Sequence, residues 1–150
     1  MKRPKLAAID PHLTPFRLRI ARSRLHRLGV FACEPIPARR KVMEYTGEKI
    51  PMAEALRRLT RGNEYIFRLD KHWTIDGRVQ GGGAQFLNHS CASNLYVRRG
   101  PRHILLMSRR PIRAGEELTF DYLLSPEARI VRCHCGAAKC RGTLNLRPGT

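Results

Sequence analysis

Three cysteines stand close together late in the sequence, as Cys133-His-Cys135 followed by Cys140. Cysteines one residue apart rarely satisfy disulfide geometry with each other. Five cysteines in all leave one unpaired in a purely disulfide framework. The spacing instead suits thiolate ligands for zinc, which wants four donors. Cys91, Cys33 and His134 are candidates for the fourth place, although His134, between two ligands, would have difficulty folding back. A second chemistry-bearing run, Phe86-Leu-Asn-His-Ser-Cys91, follows the glycine triplet Gly81–Gly83.

The elements that must position these groups read as many short strands. Phe16–Ile20 alternates apolar and basic residues, as a half-exposed strand does. Gly29–Cys33, Val42–Tyr45, Tyr65–Leu69, Trp73–Ile75, Leu95–Val97 and Ile104–Met107 are further strand candidates. Gly115 opens another apolar segment, Glu116–Tyr122. Met52, Ala55, Leu56 and Leu59 recur at helical spacing after Pro51, which predicts one short helix. No internal repeat is visible in the sequence. The fold class is mainly β with short helices, within one domain of ordinary size for 150 residues.

Composition adds a strong electrostatic signature. There are 29 basic and 12 acidic residues, a formal net charge of +17, which predicts attraction to nucleic acid or acidic protein surfaces. Most of the cations are arginine, which a GC-rich genome supplies as readily as selection for phosphate contacts. No apolar run approaches membrane-spanning length, and Met1–Phe16 lacks the apolar core of a signal peptide. The expectation is an intracellular monomer without membrane contact, cytoplasmic or nucleoid-associated in a bacterium and nuclear in a eukaryote.

At Asn88-His-Ser-Cys91-Ala-Ser-Asn94 the sequence resembles the SET-domain protein-lysine methyltransferases. His26-Arg-Leu-Gly29 is similar to the family's N-terminal glycine turn, Glu44-Tyr-Thr-Gly-Glu48 to its next motif, and Gly115–Tyr122 to its catalytic strand. Cys133–Gly142 resembles the zinc-binding tail that follows many such domains. The resemblance covers residues 16–146. It implies a β-clip-like fold of small curved sheets, with the segment carrying Asn88–Cys91 threaded beside that carrying Tyr122 as a C-terminal pseudoknot. It divides the chain into a basic leader at 1–15, a SET domain at 16–124 and a zinc-binding tail at 125–150.

The activity implied is methyl transfer from S-adenosylmethionine to lysine side chains of proteins. Tyr122 matches the terminal tyrosine near the transferring methyl, Tyr45 the residue that hydrogen-bonds the lysine nitrogen, and Phe120 the position that sets how many methyls fit. A phenylalanine there implies products beyond monomethyl-lysine. The cofactor pocket would comprise the backbone of His26, Arg27, Leu28 and Gly29, with Tyr65, Gln85, Phe86, Asn88, His89 and Tyr122, and Leu144 closing it. Asn88 would offer its side-chain oxygen to the cofactor's ammonium, and the His89 backbone would read the adenine edge. Cys91 becomes the fourth ligand of one structural zinc, with Cys133, Cys135 and Cys140.

Three positions depart from the family pattern. Arg27 replaces a glycine, where a missing Cβ permits close approach or positive φ; Gln85 stands where arginine is common, and Ser93 replaces a proline. A catalytically degenerate SET-like binding module, or a zinc-stabilised nucleic-acid binder, are the alternative readings. The substrate implied is a histone or another basic, nucleic-acid-associated protein. Glu44, Glu48 and Glu117 are the acids expected to line its groove, and nucleic acid is expected as a further partner of the basic surface.

Overall fold

The structure, a computed structural model, describes residues 8–149. It contains three small sheets and one α-helix. In the first sheet β1 (Leu18–Arg22) pairs with β2 (Leu28–Ala32), β2 with β10 (Glu117–Phe120), and β10 with β7 (Asn88–His89). The second has β9 (Ile104–Ser108) between β3 (Lys41–Glu44) and β8 (Leu95–Arg99). The third has β6 (Trp73–Asp76) between β4 (Glu48–Pro51) and β5 (Ile66–Arg68).

Burial follows the strand patterns. Val30, Leu106 and Leu118, from the central strands of two sheets, are fully buried. β1 is an edge strand that keeps Arg19 and Arg22 in solvent, which blunts it against pairing with other chains. The expected strand at Phe16 begins two residues later, because Phe16 donates its backbone N–H to the Thr14 hydroxyl in a local turn. β4 was not expected. In Glu48-Lys-Ile-Pro51 only Ile50 is buried, so the segment has no apolar alternation and owes its pairing to β6.

The predicted helix is α1 (Met52–Thr60), but its apolar residues do not form a buried stripe. Ala55 is buried, whereas Leu56 is 57% and Leu59 46% exposed. An ion-pair cluster anchors it instead. Arg58 reaches Asp76 at 2.6 Å, Glu48 at 2.7 Å and Glu54 at 2.9 Å. Asp76 also accepts from Asn63 at 2.9 Å, and Asn63 accepts the Tyr65 backbone N–H. The helix is thereby tied to β6 through Asp76 and, through Asn63, to the Tyr65 backbone just before β5.

Two chain segments repeat the same turn about a local two-fold relationship. Ile36 and Ile112 exchange both backbone hydrogen bonds, at 2.9 and 2.8 Å, and each is 1% exposed. Gly115 N–H donates to Ala32 O at 2.7 Å, and Ala32 N–H to Glu116 O at 3.0 Å. The partner half repeats this with Arg39 to Ser108 O at 2.8 Å and Ser108 to Arg40 O at 2.9 Å. Arg39 and Gly115 both have positive φ, 58° and 90°. The only sequence trace is Pro35-Ile-Pro-Ala38 against Pro111-Ile-Arg-Ala114. Beyond these turns β3 leads to Tyr45 and β10 to Tyr122.

β7 lies parallel to the end of β10, with Asn88 opposite Thr119 and His89 opposite Phe120. Asn94 secures the threaded segment from its other end: its amide donates to Glu117 O at 2.8 Å and its oxygen accepts from Thr119 N–H at 2.9 Å. Of the expected leader, residues 1–7 lie outside the described residues. Ile9 packs against the core, and Asp10 donates its N–H to Gly82 O at 2.9 Å.

Candidate active site

Aromatic side chains converge where β3, β5 and β10 end. Phe67 lies 4.9 Å from the Tyr45 ring and 5.6 Å from Phe120, and Phe120 is 4.8 Å from Tyr122. Such offset and tilted contacts suit ring quadrupoles and form a dry, rigid wall. Sequence reading assigned no role to Phe67. The signal was present, since Phe67 is the central aromatic of the strand candidate Tyr65–Leu69.

Both tyrosine hydroxyls have committed their protons. Tyr45 donates to Tyr65 O at 2.8 Å, and Tyr122 to Leu87 O at 2.7 Å. Burial, then neighbouring tyrosine and carboxylate groups, pushes both phenols well above the ordinary tyrosine value near 10. Neither is a phenolate at neutral pH. Each instead offers oxygen lone pairs that can accept from an amine N–H or face a polarised methyl. That is an orienting chemistry rather than a basic one.

Beside this wall lies the turn His26–Gly29. Asn88 Nδ2 is 3.1 Å from His26 O, 2.9 Å from Leu28 O and 2.9 Å from Glu117 Oε1. Its two protons thus hold the turn itself, and its Oδ1 accepts nothing among the described residues. Glu117 also accepts the Ser23 hydroxyl at 2.7 Å, and Ser23 Oγ accepts the Leu25 N–H at 2.9 Å. Ser23 and Glu117 were missed as shapers of this turn. A Cβ on Gly29 would lie 2.2 Å from Glu117 Oε1 and would push that carboxylate off Ser23 and Asn88. Arg27 adopts φ 42°, the conformation for which glycine is the unstrained choice.

The acids expected in a substrate groove are engaged elsewhere. Glu117 belongs to the turn, and Glu48 pairs with Arg58 at 2.7 Å. Glu44 meets His103 at 2.6 Å and Lys41 at 3.6 Å. Gln85 accepts the Gly83 N–H at 2.8 Å, and Phe86 meets Tyr65 edge-on at 6.2 Å. Ser93 is buried and donates to Leu95 O at 3.0 Å, a bond that proline could not make.

The sulfurs of Cys91, Cys133, Cys135 and Cys140 all lie within 4.8 Å of one another. Cys91 Sγ is 3.8 Å from Cys133 Sγ and 3.9 Å from Cys140 Sγ. Tetrahedral zinc with Zn–S near 2.3 Å requires sulfurs about 3.8 Å apart, so the donor set fits the ion. Backbone N–H groups point at the sulfurs, as thiolates require: Arg141 to Cys91 at 3.4 Å, Gly142 to Cys140 at 3.4 Å and Cys91 to Cys135 at 3.5 Å. Cys33 is outside the cluster and His134 is exposed.

The tail is bound to the segment that follows β10 and carries Tyr122. Arg141 forms a two-pronged pair with Asp121, at 2.5 and 2.9 Å, and reaches Leu144 O at 3.3 Å. Asn145, 2% exposed, accepts from Val131 N–H at 3.0 Å and donates to Ser125 O at 2.9 Å. Leu144 is half-buried within the tail, where its N–H donates to Val131 O at 2.8 Å.

Comparison with known proteins follows this geometry. The family described as SET domain matches residues 27–123. Histone-lysine N-methyltransferase SETD1A of Homo sapiens is 39% identical over 139 residues, covering 86% of this chain and 8% of that protein. A Schizosaccharomyces pombe histone-lysine N-methyltransferase, H3 lysine-4 specific, is 41% identical over 139 residues, covering 86% of this chain and 15% of its own length. This chain therefore spans a small part of these curated relatives. Among solved structures, KRYPTONITE in complex with mCHG DNA and SAH has a TM-score of 0.76 at 32% identity, over 87% of this chain and 29% of the other. Its complex with mCHH DNA, H3(1-15) peptide and SAH gives 0.74 at 31% identity, over 87% and 30%.

Proposed function

This chain belongs to the SET-domain family, and we propose that it transfers methyl groups from S-adenosylmethionine to lysine side chains of histones or other basic, nucleic-acid-associated proteins. The observation that carries this reading is the pair of protonated tyrosines, buried Tyr45 and half-buried Tyr122, held around Phe67 and Phe120 beside the threaded Asn88–His89 segment. The names of the relatives, and the H3 peptide and SAH in the neighbouring structures, support it.

S-adenosylmethionine, when bound, supplies an electrophilic methyl for attack by a neutral amine in line with its sulfur. Tyr45 would accept an amine N–H and fix the direction of the nitrogen lone pair. Tyr122 would present its oxygen to the reacting carbon while its own O–H stays donated to the Leu87 carbonyl. The aromatic wall excludes water and so disfavours the ammonium form of the substrate. Backbone groups of His26–Gly29, with Tyr65, Gln85, Phe86, Asn88, His89 and Leu144, would hold the cofactor. Cys91, Cys133, Cys135 and Cys140 would hold one structural zinc that ties the tail, residues 125–150, to the SET domain at 16–124. The protein would act as a monomer, at chromatin where its host has histones.

The test is incubation with methyl-labelled cofactor and either histone H3 or a cell extract, followed by identification of labelled lysines. Label in no lysine of either would overturn the assignment.

A further inference from the structure

We propose that the paired Pro-Ile turns form a phosphate-binding face for nucleic acid, set at most about 20 Å from the tyrosine pair. Folding gathers arginines from three distant sequence segments. The Ile36–Ile112 bridge brings Arg39 and Arg40 beside Arg109, Arg110 and Arg113. Arg17 joins them, since it pairs with Glu34 at 3.1 Å and Arg40 stands over the adjacent Phe16 ring at 5.5 Å. All six are exposed. Two carboxylates answer them, Glu34 to Arg17 and Glu116 to Arg110.

The face is rigid as well as basic. Its floor is an open cavity lined by Pro35, Ile36, Pro37, Pro111 and Ile112. Arg40 and Arg109 lie over aromatic rings, the latter 5.6 Å from Tyr96, so stacking orders them while their N–H edges remain available. Residues 11–33 and 77–115, which supply Arg17, Arg109, Arg110 and Arg113, contain no Asp or Glu. A repeating polyanion is the partner that uses planar, bidentate cations over such an area.

Position then gives the face a purpose. β3 and β10 both start at these turns and both end at the aromatic wall, as Tyr45 and Phe120 touch the same Phe67 ring. β10 fills most of the stretch from Glu116 to Tyr122, and six residues at about 3.3 Å each span at most about 20 Å. Nucleic acid bound at the turns would thus keep a lysine on its associated protein within reach, provided that lysine stands about six extended residues from the phosphates. This rests on the reading that the substrate is nucleic-acid-associated.

The test measures binding of a fluorescent duplex DNA across a salt series, with methylation of a free H3 peptide as a separate readout. For Arg39→Glu/Arg113→Glu, the log–log salt slope should become shallower by about 2, one per lost phosphate contact. Arg39→Gln/Arg113→Gln should show the same direction. Arg98→Glu/Arg102→Glu, at the far tip of the β8–β9 hairpin, should leave the slope within error. Free-peptide methylation should be unchanged in all three, which separates failure of this face from failure of the methyltransferase reading. Equal loss in the hairpin variant would overturn the proposal. So would competition by poly-glutamate as effective as by unlabelled DNA, which would make the partner an acidic protein.

Discussion

Tyr122 and His89 are fastened to each other twice: the Tyr122 backbone N–H donates to His89 Nδ1 at 3.1 Å, and the two rings meet edge-on at 5.3 Å. Because Nδ1 accepts, the ring proton of neutral His89 sits on Nε2, which lies 3.4 Å from Cys91 Sγ. Burial, against the opposing pull of Asp121, keeps the imidazole below its ordinary pKa and so neutral. One ring therefore connects the Tyr122 backbone to the cysteine cluster. His89 acts on the site through its position.

Tyr122→Phe should reduce methyl transfer by several orders of magnitude while cofactor affinity changes little. The variant also leaves the Leu87 carbonyl without its donor, costing about 1–3 kcal/mol of stability. A labelled-methyl assay, paired with calorimetric titration of S-adenosylhomocysteine, separates the two effects. Turnover at the wild-type rate would remove Tyr122 from the mechanism.

Elemental analysis should find one zinc per chain, reduced in Cys91→Ser and unchanged in Cys33→Ser. His89→Ala should release zinc faster, because outer-shell partners contribute about 10–100-fold to metal affinity. Release can be followed with a chromogenic chelator, independently of activity. Full zinc content in Cys91→Ser would exclude this ligand set.

Phe120 is 4% exposed and packs between Phe67 and Tyr122. The wild type should therefore yield more than monomethyl-lysine, and Phe120→Tyr should shift the products downward by adding a hydroxyl where the amine must turn. Mass spectrometry at saturating cofactor reads this directly. Monomethyl product alone from the wild type would contradict it.

Arg27→Gly should stabilise the protein by about 1 kcal/mol, because it relieves a side chain at φ 42°. Affinity for S-adenosylhomocysteine should stay equal or rise, since the turn needs only its backbone. Thermal melting with and without ligand tests both parts. A lower melting temperature would show that the Arg27 side chain contributes more than its strain costs.

Acid unfolding should depend on Asp76. Burial opposes its ionisation, but hydrogen bonds from Asn63, Arg58 and the Arg78 N–H prevail, so its folded pKa lies below the ordinary carboxylate value. Its contribution is then complete above about pH 4 and is lost as pH falls through the lowered folded value. Asp76→Asn should lower stability at pH 7, because it removes the buried carboxylate that Asn63 and half-exposed Arg58 both bond. It should also show a flatter stability profile below pH 4 in urea unfolding. A profile parallel to the wild type would assign the acid sensitivity to other carboxylates.

Much of this molecule was legible as sequence because its signals are local. Apolar runs marked most strands, Pro51 marked the helix start, and cysteine spacing marked a thiolate site. The resemblance of Asn88–Cys91 and Gly115–Tyr122 to SET motifs pointed to the family, which residues 27–123 match. Non-local pairing decided the rest. Cys91 joins the three later cysteines only because threading lays β7 along β10, and spacing alone left Cys33 and His134 as rivals. The two-fold turn about Ile36 and Ile112 escaped notice because only a four-residue Pro-Ile-x-Ala trace repeats in sequence, while the relationship itself lies in non-local hydrogen bonds. Glu117 had no sequence signal separating a groove acid from the anchor of a distant turn, since its partners Ser23 and Asn88 meet it only after folding. Residue types limited which chemistry was available. The tertiary structure chose which groups share a dry space, because desolvation and hydrogen-bond direction depend on neighbours that are remote in the chain.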